Sequence, residues 1–257
     1  MSFDAIPIWG IFLATSFVIW AALEAGFRLG RRRLAKGASK SEMSGAMVGA
    51  SMGLLAFMMA FTFNAAAGRH EVRRTLVIDD ANAIERAWLR ADFLPDSQRH
   101  EVRKLLGEYT DLRVQAADGS IEVGAALVRF DALHDRLWAI TGEAGRQAPG
   151  SIMGGLFVEA LNEMIDGYVK RLTISVRTRV APTIWVALYA LAALGMLMIG
   201  IQNGLGGTRQ AGIELALGLS FAIVLFVIAD LDRPQDGVIN VSQQPIIDLQ
   251  KRLRSHH

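Results

Sequence analysis

Four long apolar stretches divide the chain. They are residues 6–27, 45–67, 181–201 and 211–229. A helix of about 20 apolar residues crosses the roughly 30 Å hydrocarbon core of a bilayer. The pattern therefore predicts four transmembrane helices in two hairpins, over residues 1–67 and 181–229. The first stretch is predicted to be a retained span, because it has neither the basic start nor the small-residue cleavage site of a secretory signal.

A polar segment, residues 68–180, lies between the two hairpins and is predicted to form a helical extramembrane domain. Its apolar positions recur near a four-residue spacing, at Val72, Leu76, Ile84 and Trp88, as in an amphipathic helix. Further helices are predicted after Pro95, over residues 121–140, and from residue 152 towards Pro182, with residues 141–150 as a loop. Residues 230–257 are predicted to be a C-terminal tail. No alternation is long enough for a strand, so the fold class is all-α.

The second apolar stretch continues without a break signal into a charged helix. No proline interrupts residues 54–90, and Gly68 is the only glycine among them. Such a helix would carry apolar rings and a group of arginines along one rigid rod. This arrangement is typical of a pore-lining helix.

Composition and charge exclude several other functions. Hydrophobic residues make up 52% of the chain, and the net charge of +2 provides no concentrated basic face for nucleic acid. The chain has no cysteine, so it has no disulfide and no thiol nucleophile. Its five histidines show no metal-ligand spacing, and neither a phosphate loop nor a nucleophile elbow is present. The sequence therefore predicts neither an enzyme nor a metal or other cofactor.

The basic residues leave the membrane orientation open. One group lies in the first loop, which the positive-inside rule would place in the cytoplasm. A second group flanks the second and third spans at their other ends. The two groups are Arg28, Arg31, Arg32, Arg33, Lys36 and Lys40, and then Arg69, Arg73, Arg74, Lys170, Arg171, Arg177 and Arg179. Only one face of the membrane is cytoplasmic, so charge counting does not decide between them.

The run from Phe61 to Arg74 resembles the second helix of the bestrophins. Within this run, Phe61, Arg69 and Arg74 have the spacing of the corresponding phenylalanine and arginines in that family. Three later motifs follow in the family's order, namely residues 81–84, residues 94–95 and residues 103–109. The segment 230–237 resembles the family's acidic-proline-glycine segment. The resemblance covers most of the chain and is closest to bacterial membrane proteins labelled bestrophin-like.

The resemblance implies a homopentameric ion channel of the bacterial inner membrane, with five copies of the second helix around a central axis. It places Gly53, Phe57 and Phe61 at an apolar pore neck. These positions are four residues apart and share one helix face, and apolar rings gate by dewetting. Gly53 departs from the bulky aliphatic residue that the family prefers. In the family, both termini and the middle domain lie in the cytoplasm.

Two further charged groups lie next to the predicted spans. Arg69, Arg73 and Arg74 form either a basic vestibule that slightly favours anions as the permeant ion, or a set of interfacial anchors. The segment after the last span carries Asp230, Asp232 and Arg233. In eukaryotic bestrophins an acidic cluster near this place binds calcium, but here the carboxylates are few, so no calcium site is predicted.

Other interpretations compete with the channel. Phenylalanines on a membrane helix commonly face lipid or pack between helices. The layout of two spans, a helical region and two spans is also that of proton-driven stator subunits, for which Glu214 is the candidate acidic residue. A non-conducting membrane scaffold is a third possibility. In each case the predicted partners are the lipid bilayer and, for the channel, further copies of the chain.

Overall fold

The computed structural model describes residues 7–37, 45–177, 179–207, 209–233 and 237–255. Residue 6, at the predicted start of the first span, lies outside these ranges. So do Lys40 of the first loop, residues 234–236 of the segment after the last span, and the two terminal histidines.

The described residues form eight α-helices and one short 3₁₀ turn, Ala91–Phe93. The helices are α1 (Ile8–Ala35), α2 (Gly45–Arg90), α3 (Asp96–Asp118), α4 (Val123–Gln147), α5 (Ile152–Arg177), α6 (Pro182–Leu205), α7 (Ala211–Asp232) and α8 (Gln244–Ser255). No strand occurs in the described part of the chain, and the predicted all-α fold is confirmed.

Four of the helices are long and apolar enough to cross a membrane, as the sequence predicts. They are α1, α2 with the 3₁₀ turn that follows it, α6 and α7. Pro182 begins α6, where a missing backbone N–H costs no hydrogen bond. The helix α2 is 46 residues long and continues well beyond its apolar part.

The loop predicted for residues 141–150 is wrong over most of its length, because α4 continues to Gln147. The apolar face of α4 extends through Leu137, Thr141 and Ala144, all of which are buried. Thr141 donates its hydroxyl to the Leu137 carbonyl 2.7 Å away, so its burial leaves no polar group unpaired. The helix ends just before Pro149, where α geometry becomes unfavourable.

The chain folds as two compact units. The first unit comprises Met1–His70 and Thr178–Asn240. Its core joins Leu55 and Met59 of α2 to Leu188 of α6 and to Leu225 and Ile228 of α7.

Within the first unit, α1 and α6 cross in unusually close contact through glycines on both helices. A Cβ added to Gly26 would lie 2.1 Å from the Leu197 carbonyl oxygen, and one added to Gly200 would lie 2.2 Å from that of Leu23. Gly30 and Gly204 meet in the same way one turn further on. Both helices thus carry a G-x-x-x-G motif, which allows the backbones of membrane helices to approach each other.

The second unit comprises Glu71–Arg177 and Val241–His257. Its core includes Ile84 of α2, Leu105 of α3, Leu137 of α4 and Phe157 of α5, and each of these side chains is fully buried. The Glu122 carboxylate begins α4 by accepting the backbone N–H groups of residues 124 and 125, both at 2.9 Å. The short helix α8 completes this core with three buried residues at helical spacing, Ile246, Leu249 and Leu253.

Candidate functional site

The membrane part of α2 is buried on one side and uncovered on the other. Phe57 and Phe61 are 66% and 64% exposed, and nothing lies within 4 Å of a Cβ added to Gly53. Leu55 and Met59, on the opposite side, are buried in the core of the first unit. The predicted neck positions therefore share an uncovered face of a helix whose other face is fixed by packing.

The composition of this uncovered face differs from that of the other membrane helices. Apart from Phe57, Phe61 and Leu54, it consists largely of small residues. These are Gly45, Ala46, Gly49, Ala50, Gly53, Ala56 and Ala60. Small residues are typical of surfaces where membrane helices meet one another.

The helices α1 and α7 present bulky side chains instead. Trp9, Leu13, Phe17 and Trp20 of α1 are all more than half exposed. On α7 the exposed residues are large aliphatics, including Ile213, Leu215 and Ile223. Large apolar side chains of this kind suit contact with lipid chains. The face of α2 therefore has a composition suited to protein contact rather than to lipid.

The three arginines of the predicted vestibule lie in different environments. The Arg69 side chain is 26% exposed, and its Nε lies 3.5 Å from an oxygen of Asp232. Arg73 is buried at 6% exposure. Arg74 is exposed, with its Nη1 3.6 Å from Glu71 one turn earlier. The sequence pattern predicts one group of three arginines. In the structure Arg74 is the most exposed of the three.

The acidic residues predicted to follow the last span lie in the final turn of α7. The Asp230 carboxylate accepts the backbone N–H groups of Val238 and Ile239 at 2.7 and 2.8 Å. Asp232 accepts that of Val180 at 2.9 Å, and Arg233 is also buried. The two carboxylates thus hold the backbone around the ends of α7 and α6 in place. Among the residues that the structure describes, no group of three or more histidines and carboxylates could bind a metal ion.

Glu214 is buried in the first turn of α7, where the helix dipole stabilises a negative charge. Its Oε1 accepts a hydrogen bond of 2.7 Å from Asn203 Nδ2, and its Oε2 lies 3.9 Å from Arg209 Nε. Arg209 also donates to Glu24 of α1 at 2.9 Å. These contacts link the start of α7 to α6 and α1, which is a structural role for Glu214.

A buried ion cluster in the second unit was not predicted from the sequence. The carboxylate of Asp80, which is 2% exposed, accepts hydrogen bonds from Arg113 Nε at 2.8 Å and from Arg171. The side chains of Arg113 and Arg171 are 7% and 12% exposed. A signal existed in the sequence, because Asp80 lies in register with the apolar stripe through Val77 and Ile84. A charged residue on a core stripe indicates a buried partner of opposite charge.

Aromatic rings surround this cluster. The rings of Tyr109 and Tyr168 both pack against His134, with ring centroids 5.5 and 4.9 Å from that of the imidazole. Burial raises the pKa of the Tyr109 hydroxyl and lowers the pKa of His134. Both groups are therefore neutral near pH 7, and the charges in this region are those of the carboxylate and the guanidinium groups.

The fold and the site together define a multi-pass helical membrane protein with four spanning helices and an uncovered face on the second. The sequence model of the bestrophin-like domain matches residues 13–246. The chain therefore belongs to the bestrophin-like family, which is a channel-like family, and the predicted family resemblance is confirmed.

A solved structure is similar over nearly the whole chain. It is a crystal structure of a membrane protein, with a TM-score of 0.69 and 14% sequence identity. The alignment covers 96% of this chain and 97% of that chain. No curated protein matches the sequence. At this identity the similarity shows a shared fold.

Proposed function

We propose that the protein is a homopentameric ion channel of the bacterial inner membrane, that it has no enzymatic activity, and that α2 lines its pore. The observation that carries the proposal is the uncovered face of α2 in the first unit. It combines small residues with Phe57 and Phe61, both about two-thirds exposed. Five copies of this helix around a common axis would cover the small residues and present the rings to the pore.

The proposed neck is apolar and short. Phe57 and Phe61 lie one helical turn apart, so each would contribute one ring of side chains. Gly53 has no side chain to form a third ring, and its surroundings are open. Apolar rings control conduction by excluding water when they are narrow and admitting it when they widen. The neck would act as a gate more than as a charge filter.

The proposed permeant species is a small ion, with a slight preference for anions. Arg74 supports this preference because it is exposed, whereas Arg69 is paired with Asp232 and Arg73 is buried. Glu71 lies 3.6 Å from Arg74 and offsets much of its field. The expected selectivity is accordingly weak.

The surroundings of Glu214 argue against a proton-driven stator. Such a machine needs an acidic residue that exchanges protons within a span, but Glu214 lies in the first turn of α7 and accepts a hydrogen bond from Asn203. Its other oxygen lies 3.9 Å from Arg209 Nε, so both carboxylate oxygens have partners within the protein. A non-conducting scaffold would not require an apolar ring on the uncovered face of α2.

Single-channel recording of the purified protein in planar bilayers tests the proposal. The double substitution Phe57→Ala, Phe61→Ala widens the neck and removes its apolar rings. We expect a larger conductance or a higher open probability than in the wild type.

Phe63→Ala is the matched control, since Phe63 lies on the same helix but on a different face. It is expected to conduct like the wild type. A wild-type protein that carries no current, or equal effects of the two kinds of substitution, would contradict the proposal.

A further inference from the structure

The C-terminal turns of α1 carry a group of basic side chains at one end of the first unit. All five members are exposed, and they are Arg28, Arg31, Arg32, Arg33 and Lys36. Arg28 donates a hydrogen bond of 2.8 Å to Glu24 one turn earlier. The other four form no ion pair with any side chain that the structure describes. These four residues make up the basic end of α1.

The two carboxylates near the basic end of α1 already have partners. Glu24 accepts hydrogen bonds from Arg28 at 2.8 Å and from Arg209 at 2.9 Å. Glu214 lies 3.9 Å from the same Arg209, which also stacks over the ring of Phe27 at 5.3 Å. Arg28 and Arg209 therefore balance Glu24 and Glu214, and neither carboxylate is left over for the basic end.

A surplus of positive charge follows from this pairing. The end of the first unit comprises the end of α1, the start of α2 and the connection between α6 and α7. Among its described residues, six side chains are basic and two are acidic. Lys40 and Glu42, which lie outside the described ranges, add one charge of each sign. The surplus therefore belongs to the four unpaired residues of the basic end.

The length of α1 places these four residues in the headgroup layer of a membrane. Trp9, at the start of α1, is 64% exposed, and tryptophan is enriched at membrane–water interfaces. The helix rises roughly 29 Å from Trp9 to Arg28, which matches a hydrocarbon core of about 30 Å. With Trp9 at one interface, Arg28 lies at the other. The chain then continues for roughly 12 Å to Lys36, which is enough to cross the headgroup region.

The basic side chains surround the end of α1 on the sides that α6 leaves open. Gly26 and Gly30 face α6 and are buried. Residues 31–33 follow one another at about 100° around the axis, and Lys36 lies one turn beyond Arg32. The four cations therefore point in several directions within one layer. Such an arrangement can contact several phosphate groups at once.

We propose that the basic end of α1 binds the phosphate groups of anionic phospholipids. Groups of about four to eight lysines and arginines beside a transmembrane helix attract anionic headgroups. The planar guanidinium group also donates paired hydrogen bonds to phosphate oxygens. Basic residues at a helix C-terminus stabilise the helix dipole as well, but that effect does not distinguish one lipid from another. The binding requires neither ion conduction nor a particular number of copies, so it stands apart from the proposed function.

Native mass spectrometry of the delipidated protein in detergent measures the binding. The protein is titrated with phosphatidylglycerol, which is anionic, or with phosphatidylcholine, which has no net charge, and the bound lipids are counted. We expect the wild type to bind phosphatidylglycerol more tightly, and added salt to weaken this preference. Both faces of the protein are accessible in detergent, so the membrane orientation does not affect the result.

Neutralising the basic end tests which residues are responsible. The quadruple variant is Arg31→Gln, Arg32→Gln, Arg33→Gln, Lys36→Gln. We expect its affinity for phosphatidylglycerol to fall about tenfold or more, because each basic residue near an anionic lipid surface contributes about fivefold. Its weaker binding of phosphatidylcholine should stay unchanged.

Two further variants control for charge in general and for the fold. The matched control removes four exposed basic residues of the second unit and should bind lipid like the wild type. It is Lys104→Gln, Arg129→Gln, Arg146→Gln, Lys251→Gln. The triple variant Arg31→Lys, Arg32→Lys, Arg33→Lys keeps the charge and should retain most of the preference for phosphatidylglycerol.

Three results would overturn the proposal. The first is equal binding of the two lipids by the wild type, which needs no variant and so holds even if the glutamine variant fails to fold. The second is an equal loss of phosphatidylglycerol binding in the glutamine variant and the matched control. The third is displacement of the lipid by inorganic phosphate at equal concentration, since that would indicate a site for a soluble anion.

Discussion

Asp80 balances two guanidinium groups in the core of the second unit. Its carboxylate is almost fully buried and hydrogen bonds to Arg113 and Arg171. A buried ion pair is not in itself strong evidence for stability, because desolvation offsets much of the attraction. Removing one member is different, since the remaining charges stay buried without compensation.

The substitution Asp80→Ala is therefore expected to destabilise the protein by about 3–5 kcal/mol. Thermal unfolding of the detergent-solubilised protein, followed by circular dichroism, measures the effect. Asp79→Ala is the control, because Asp79 is the adjacent residue and is exposed. It should change the free energy of unfolding by no more than about 0.5 kcal/mol. Equal effects at the two positions would show that the cluster contributes nothing specific.

Some residue-scale features followed from the sequence and others did not. The four-residue spacing of Gly53, Phe57 and Phe61 puts them on one helix face, and the structure leaves that face uncovered. The pairing of Arg69 with Asp232 joins residues far apart in the chain, and local spacing carries no information about it. In the proposed channel the ion preference would depend on such pairings, and the sequence alone does not distinguish the three arginines of α2 from one another.

At the scale of elements, the close crossing of α1 and α6 is the most constrained contact of the first unit. Each helix places two glycines where the backbone of the other leaves no room for a Cβ. Membrane helices gain no hydrophobic stabilisation from lipid exclusion, so close backbone packing replaces it. Thr15 and Tyr189 add a hydroxyl–hydroxyl hydrogen bond of 2.8 Å between the same helices.

Gly200→Ala should push the two backbones apart, because the new Cβ would lie 2.2 Å from the Leu23 carbonyl oxygen. Overpacking of this kind costs about 1–3 kcal/mol. A lower midpoint of thermal unfolding in detergent is the expected result. Gly212→Ala is the matched control, since nothing lies within 4 Å of its Cβ position. An unchanged midpoint for Gly200→Ala would mean that the helices can shift at little cost.

The helices themselves were largely predictable, because their apolar residues recur at helical spacing. The exceptions have physical reasons. Gly142 and Gly145 suggested a loop, yet both lie on the exposed side of α4 while Thr141 and Ala144 continue its buried side. The packing of α8 was missed, although Ile246, Leu249 and Leu253 show an apolar stripe. A twelve-residue helix is stable only through tertiary contact, and the sequence does not say where that contact is.

At the scale of the whole molecule, the most informative surfaces are those that one chain leaves uncovered. In the first unit this is the small-residue face of α2 with Phe57 and Phe61. Composition and apolar length predict the four spans and the all-α fold. Assembly depends on how copies cover each other, which no pattern within one chain encodes directly.

The mass of the detergent-purified complex, measured by native mass spectrometry, tests the proposed assembly around α2 most directly. The chain has a mass of 28.0 kDa, so a ring of five has a protein mass of about 140 kDa. The account predicts a single species at that mass under conditions that preserve the fold. A folded monomer of 28.0 kDa as the only species would contradict it, because one copy of α2 cannot enclose a pore.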